Sequence, residues 1–173
     1  MKEEDKYSAS EVLMNLPCGL VILENGYRLE MQYHNIEMAK LCGYRPEEFK
    51  NRFKNNFMLL IYPEDRSAFE RMLEDCQYRM RLTDRNFRLI NQDGSIGWGR
   101  FQVRFLSLKH TKSVYYCTVD DITISKKREM IIQKKTDDIK RHYRFLSNLY
   151  QNVPCGILQC SLEQRPRILD INP

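Results

Sequence analysis

Phe87-Arg88-Leu89-Ile90-Asn91-Gln92-Asp93-Gly94-Ser95-Ile96-Gly97-Trp98 is where the chain changes period. Before it, Phe69, Met72, Leu73 and Cys76 recur at three- and four-residue spacing, the stripe of a helix whose apolar side faces another layer. From Thr83 the period falls to two, so Phe87 and Leu89 point one way and Arg88 and Ile90 the other. Residues 91–95 make a turn in which Gly94 accepts the positive φ that closes a strand pair. Residues 96–108 return as a long strand, with Phe101, Val103 and Phe105 on one face and Arg100, Gln102 and Arg104 on the other. After a short polar loop, residues 113–122 form a third strand, rich in Val and Tyr.

Working back toward the start, Pro63-Glu64-Asp65 opens the striped helix just after Phe57-Met58-Leu59-Leu60-Ile61. Arg45-Pro46-Glu47-Glu48-Phe49 reads as a further helical turn, with Pro at a first-turn position and acids near the positive end of the dipole. Asn35 caps a helix in which Ile36, Met38, Ala39, Leu41 and Cys42 gather on one side, ending at Gly43, and its amide can also bond back to the preceding strand. Residues 19–24 are a β-branched apolar run, Asn25-Gly26 suits a two-residue hairpin turn, and residues 27–33 return as the partner. Ser8 or Ser10 caps a short helix through about Asn15, which Pro17 stops. The predicted order is two strands, a helical middle and three more strands, an α+β arrangement.

Working forward, residues 123–151 hold neither Gly nor Pro, and Ile132, Ile139, Leu146 and Val153 lie seven apart, with Tyr143 and Tyr150 four residues after two of them. Ile132, Ile139, Tyr143 and Leu146 form the seam expected of a connector helix that pairs with a partner copy. The alternative is a lone amphipathic helix lying on its own domain. Asp121-Ile122-Thr123 sits where sheet becomes helix, so Asp121 or Thr123 would cap the connector and couple its angle to the last strand.

Asn15-Leu16-Pro17-Cys18-Gly19-Leu20 returns as Asn152-Val153-Pro154-Cys155-Gly156-Ile157, an offset of 137 that Asn35 and Asn172 also keep. Tandem copies of one module give such a fixed spacing. The expected organisation is a flanking helix at 1–15, a whole module at 16–123, a connector at 124–151 and the truncated start of a second module at 152–173, cut from something longer.

Apolar residues make up 42% and charged residues 29%, a globular and soluble composition. The formal charge is +5, but basic and acidic residues interleave, so no concentrated field for nucleic acid is expected. The opening Met1-Lys2-Glu3-Glu4-Asp5-Lys6 is charged and leads into no long apolar stretch, which excludes a signal peptide or membrane span here and points to the cytoplasm. Cys18, Cys42, Cys76, Cys117, Cys155 and Cys160 form no Cys-x-x-Cys pair, so free thiols are expected and no metal site.

Asn35 with Ala39, Leu41-Cys42-Gly43-Tyr44 with Glu47-Glu48-Phe49, Tyr62-Pro63-Glu64-Asp65-Arg66, Phe87-Arg88-Leu89 with Asp93-Gly94-Ser95 and Trp98, and Asp121-Ile122-Thr123 occur in the order found in PAS domains. From Leu16 to Thr123 the chain resembles that family. The resemblance implies a five-stranded antiparallel sheet with helices on one face and a long C-terminal signalling helix. It further implies an interior holding either a small molecule or only side chains. A flavin photosensor of the family needs a cysteine beside an asparagine and an arginine after the early helices, and Asn51-Arg52-Phe53 includes none. A haem sensor offers an axial histidine from the long helix, and residues 63–81 contain none, so flavin and haem are not expected. His34, His110 and His142 fall on a strand end, a loop and the connector. His142 lacks the acidic neighbour of a phospho-acceptor.

Two interiors stay open: a side-chain-filled core, or a metabolite pocket lined by Phe57, Leu89, Phe101, Val103 and Cys117. The favoured function is a cytoplasmic sensory and dimerisation module. It would act through Asp121, Ile122 and Thr123 on a downstream output domain, a diguanylate cyclase in preference to a histidine kinase. A ligand-free protein-interaction scaffold is the alternative. An enzyme is disfavoured, because there is no glycine-rich phosphate loop, no nucleophile with a base in a recognised arrangement and no metal-ligand cluster.

Overall fold

Ser8 starts the first helix, α1 (Ala9–Met14), by a reciprocal cap: its hydroxyl accepts from the Glu11 amide at 3.2 Å, and the Glu11 carboxylate accepts from the Ser8 amide at 2.8 Å. The computed structural model describes residues 8–109, 112–152, 154–156, 158–161 and 167–171. The sequence readings on Met1 to Lys6, His110, Val153, Ile157, Asn172 and Pro173 lie outside these residues. The chain divides into two units, 1–126 and 127–173.

In the first unit, β1 (Gly19–Asn25) and β2 (Leu29–His34) form the expected hairpin, but three residues join them instead of two. Gly26 does not take a positive φ. Space is tight there instead, since a Cβ on Gly26 would stand 3.0 Å from Cε of Lys112, which crosses the turn to pair with Glu24 at 2.8 Å and would have to shift slightly.

α2 (Ile36–Leu41) and α3 (Pro46–Phe53) follow, the latter two turns long where one was predicted. α2 buries Met38 and Ala39 and is followed by buried Cys42, whereas Ile36 is 41% exposed, contrary to the stripe expected of it. The helix ends because Gly43 takes φ +76°, a left-handed conformation that a Cβ resists. Phe57–Leu59 and Pro63–Asp65 are single 3₁₀ turns that deliver the chain to α4 (Arg66–Arg79), whose Phe69, Met72, Leu73 and Cys76 are all buried as the spacing predicts.

β3 (Thr83–Ile90), β4 (Ile96–Lys109) and β5 (Lys112–Asp121) complete a five-stranded sheet in the order β2-β1-β5-β4-β3, every neighbouring pair antiparallel. Gly94 closes the β3–β4 turn at φ +80°. The last strand is central, inserted between β1 and β4. Helices cover one face of the sheet: α2 comes so close to β1 that a Cβ on Gly19 would lie 2.8 Å from Sδ of Met38, and the α4 stripe meets the inner sides of β3 and β4. The opposite face carries the exposed Arg100 and Arg104.

α5 (Thr123–Asn152) begins in the first unit and runs through the second, and none of its residues is buried. The second unit also holds a short hairpin, β6 (Leu158–Cys160) and β7 (Ile168–Ile171). Its pairs are Leu158 with Ile171, Gln159 with Asp170 and Cys160 with Ile168, with a bulge after Gln159. Displaced by 137, these are Val21 with His34, Ile22 with Tyr33 and Leu23 with Met31, and the bulge after Ile22 falls at the same step.

Candidate functional site

Alternation along β3, β4 and β5 sends one apolar row of each strand beneath the helices, and there Phe57, Leu89, Phe101, Val103 and Cys117 are all fully buried. The structure thus brings the five interior candidates into one core. Phe69 from α4 packs its ring 5.0 Å from Phe87, 5.2 Å from Phe101 and 6.3 Å from Phe57, mostly edge-on, the geometry aromatic quadrupoles favour. Val103 and Cys117 pair across β4 and β5, and the Cys76 thiol donates to the Val103 carbonyl at 3.3 Å.

Burial pushes the Cys42 thiol up to about 12, with the nearby Asp121 charge adding to the effect. Burial likewise pushes Cys117 up, followed by the neighbouring Cys76. These thiols stay protonated and act as small apolar groups. At the edge of the core, the Gln77 side-chain oxygen accepts from Tyr115 and Ser113 hydroxyls, each at 2.9 Å, pinning α4 to β5.

Asn35 anchors the other end of the core. Its Oδ1 accepts from the amides of Met38 at 3.0 Å and Leu20 at 2.8 Å, while its Nδ2 donates to the Cys18 carbonyl at 2.8 Å. One side chain therefore caps α2 and ties it to β1, the double role its position suggested, although the strand it reaches is the first and not the one that precedes it.

The three coupling residues sit where the sheet ends. Asp121 Oδ1 accepts from the Thr123 amide at 2.8 Å, and Thr123 Oγ1 in turn accepts from the Trp98 amide at 2.9 Å. The Trp98 carbonyl accepts from the Ile122 amide at 2.9 Å, and Lys126 Nζ stands 5.9 Å from the Trp98 ring centre. Both backbone groups of one β4 residue are thus committed to the first turn of α5. The sequence identified the strand to helix signal but not its partner, because Trp98 lies about 25 residues away along the chain.

A second bracket escaped the sequence reading. Arg88, on the outer side of β3, donates to Asp65 Oδ1 at 2.6 Å and to Glu64 Oε2 at 2.9 Å, and its guanidinium lies 4.3 Å from the Tyr62 ring centre. The available clue was two acids at a helix entrance and an arginine on the outward row of a later strand. The Arg88 hydrogen bonds hold the Asp65 carboxyl below the usual carboxylate range, against an opposing effect of burial. A depressed carboxylate stabilises the fold above its unfolded value of about 3.9 and loses that contribution as pH falls through its lower folded value. Asp65→Asn should therefore flatten the acid limb of a urea-denaturation stability profile below about pH 4. An acid limb with unchanged slope would show that the pair contributes nothing.

Ile132, Ile139, Tyr143 and Leu146 are each more than half exposed on α5. Among the described residues there is no metal-ligand cluster, and no helix is long and apolar enough to cross a membrane.

A five-stranded antiparallel sheet covered on one face by helices, with a long helix leaving its central strand, is the α+β arrangement of the PAS fold. The family model described as PAS fold matches residues 32–119, half of the chain, and the chain belongs to the PAS family. No curated protein matches. Among solved structures, a sensory box histidine kinase/response regulator from Burkholderia thailandensis E264 is 15% identical with a TM-score of 0.53, the match covering 70% of this chain and 91% of that one. An RNA-binding light-oxygen-voltage receptor is 16% identical with a TM-score of 0.58, over 78% of this chain and 38% of that one. A light-oxygen-voltage domain studied with a flavin analogue is 18% identical with a TM-score of 0.53, over 76% and 97%. At such identities the likeness is one of fold.

Proposed function

We propose that residues 16–123 sense by repacking and pass the change through the Asp121-Ile122-Thr123 junction into α5, and so to an output domain of the same chain. The single observation that carries this is the capture of the Trp98 amide and carbonyl by Thr123 and Ile122, which makes any shift of β4 a shift of the helix start. Two packed arrangements suffice, and a ligand drives them only through unequal affinity. The exposed seam of Ile132, Ile139, Tyr143 and Leu146 supports a homodimer joined along α5 as a coiled coil. The shared register and bulge of β1–β2 and β6–β7 at an offset of 137 support a second PAS module opening at Asn152. By analogy alone, the Pro-Cys-Gly opening of both copies favours a diguanylate cyclase over a histidine kinase as output. The module itself is proposed to be cytoplasmic and non-enzymatic, with neither nucleic acid nor membrane as its partner.

The lack of a cysteine in Pro46–Phe53 and the packing of the core rings on one another weigh against a covalent flavin. No histidine lies on Arg66–Arg79 to hold haem. The packed rings also favour the second reading, a ligand-free interaction scaffold. The two differ in whether the junction matters.

Thr123→Val and Asp121→Ala should each accelerate amide hydrogen exchange in residues 123–127 about fivefold, the loss of one hydrogen bond worth about 1 kcal/mol. Thr123→Val should also speed exchange of the Trp98 amide, which loses its acceptor. Exchange in the rest of the sheet should stay as it was, and the protein should sediment as a dimer. In a chain carrying its output domain, both changes should alter output. Unchanged exchange at the helix start together with unchanged output would sink the coupling role and leave the scaffold.

A further inference from the structure

We infer that the cleft between α1, β2 and α3 binds a small organic monocarboxylate with a compact apolar body. It lies outside the core described above, so its occupancy does not depend on how the junction works. Its volume is about 290 Å³, near the lower limit of small-molecule sites. Lys50 and Lys54, one turn apart on α3 and its C-terminal cap, line one wall together with Glu47, and neither lysine has a carboxylate within ion-pairing distance among the described residues. Met14, Met31 and Ile36 give the cleft an apolar side. The cleft also accounts for the exposure of Ile36, which a core-facing stripe would have buried.

Tyr33 lines the same cleft, and its hydroxyl is removed from water with no hydrogen-bond partner. A buried donor of this kind is uncommon, and a carboxylate oxygen that displaced its cover would accept its hydrogen bond. His34, also in the lining, has its ring fixed by Nδ1 donating to the Asn35 carbonyl at 3.0 Å and by packing 5.1 Å from Phe49.

The chain provides its own comparison. The β6–β7 hairpin keeps the register of β1–β2, yet at the offset of 137 it places Asp170 for Tyr33 and Ile171 for His34. The hairpin frame therefore does not require a tyrosine and a histidine there. Cations on one wall, apolar groups on another and a lone buried hydroxyl match an amphipathic acid better than a neutral or dianionic ligand. Because Met14 of α1 closes one side, the occupant would also touch the helix that precedes the sheet.

The probe is sodium benzoate, titrated into the ¹⁵N-labelled 173-residue chain and followed by amide chemical shifts, with benzamide and inorganic phosphate as comparators. Benzoate should give saturable shifts in residues 31–36 and 46–54 while residues 87–119 stay still. Benzamide, which has the same ring without the charge, should bind at least about tenfold more weakly, as should inorganic phosphate, which has the charge without the ring. Lys50→Ala with Lys54→Ala, both exposed, should weaken benzoate about tenfold, and Tyr33→Phe about threefold, with unshifted core amides reporting an intact fold. Absence of saturation, equal binding of benzamide or phosphate, shifts confined to the core, or indifference to the lysine pair would each overturn the assignment.

Discussion

Phe101→Ala is expected to lower the free energy of unfolding by about 4 kcal/mol, within the range of roughly 3–5 kcal/mol for deleting a buried phenyl ring. Phe101 is fully buried, faces Val119 across β5, and contacts the rings of Phe69 at 5.2 Å and Phe87 at 5.8 Å. Truncation removes apolar burial, two aromatic contacts worth about 0.5–1.5 kcal/mol each, and the close packing that fills the space beneath α4. Since folded domains hold only about 5–15 kcal/mol in reserve, the variant should unfold at a much lower urea concentration. Phe101→Leu, which keeps most of the volume, should lose far less. The size of the loss also decides between the two interiors. A loss under about 1 kcal/mol from Phe101→Ala would mean that the core tolerates a void, as a ligand pocket would, and would displace the packed-core reading.

Asn35→Ala should cost about 3 kcal/mol, more than an ordinary helix cap, whose replacement costs roughly 0.5–2 kcal/mol. The side chain is 1% exposed and serves three backbone groups, the amides of Met38 and Leu20 and the carbonyl of Cys18. Alanine leaves all three without this partner, and each buried polar group so stranded costs about 1–3 kcal/mol, in part relieved by water or relaxation. Asn35→Asp preserves the acceptor for both amides but loses the donor to Cys18, so it should be less harmful than alanine near neutral pH. Urea denaturation of the three proteins measures both differences. An alanine variant within about 0.5 kcal/mol of the parent would show that Asn35 does not hold α2 to β1.

How far the sequence reached is best judged on particular residues. Ser8, Asn35, Gly43 and Gly94 each govern a conformation within three or four positions of themselves, so capping and turn chemistry were readable directly. The α4 stripe and the alternation along β3 and β4 were equally legible, because period alone assigns which side is buried. Local reading failed where a distant group intervened. Asn25-Gly26 has the composition of a tight turn, yet Lys112, distant in sequence but at the start of the neighbouring strand β5, crosses Gly26. Ile36 matches the apolar side of α2, but β2 and α3 leave a cleft there that keeps it half open. At the candidate site, the buried state of Leu89, Phe101 and Val103 followed from alternation along their strands, whereas that of Phe57, in a 3₁₀ turn, and the ring-on-ring contacts did not.

From the sequence alone came the type and order of the elements, the buried rows of β3 and β4, the caps and the 137-residue offset between two similar stretches, because each depends on neighbours in the chain or on a count along it. The tertiary structure decided the rest: that β5 slots between β1 and β4, that Trp98 captures the start of α5, and that Arg88 reaches back to Asp65. These pairings join residues about 20 to 100 positions apart, where no periodicity connects the partners. They form only when burial of the common core brings the layers together, and that closure is a property of the whole packed sheet and its helices.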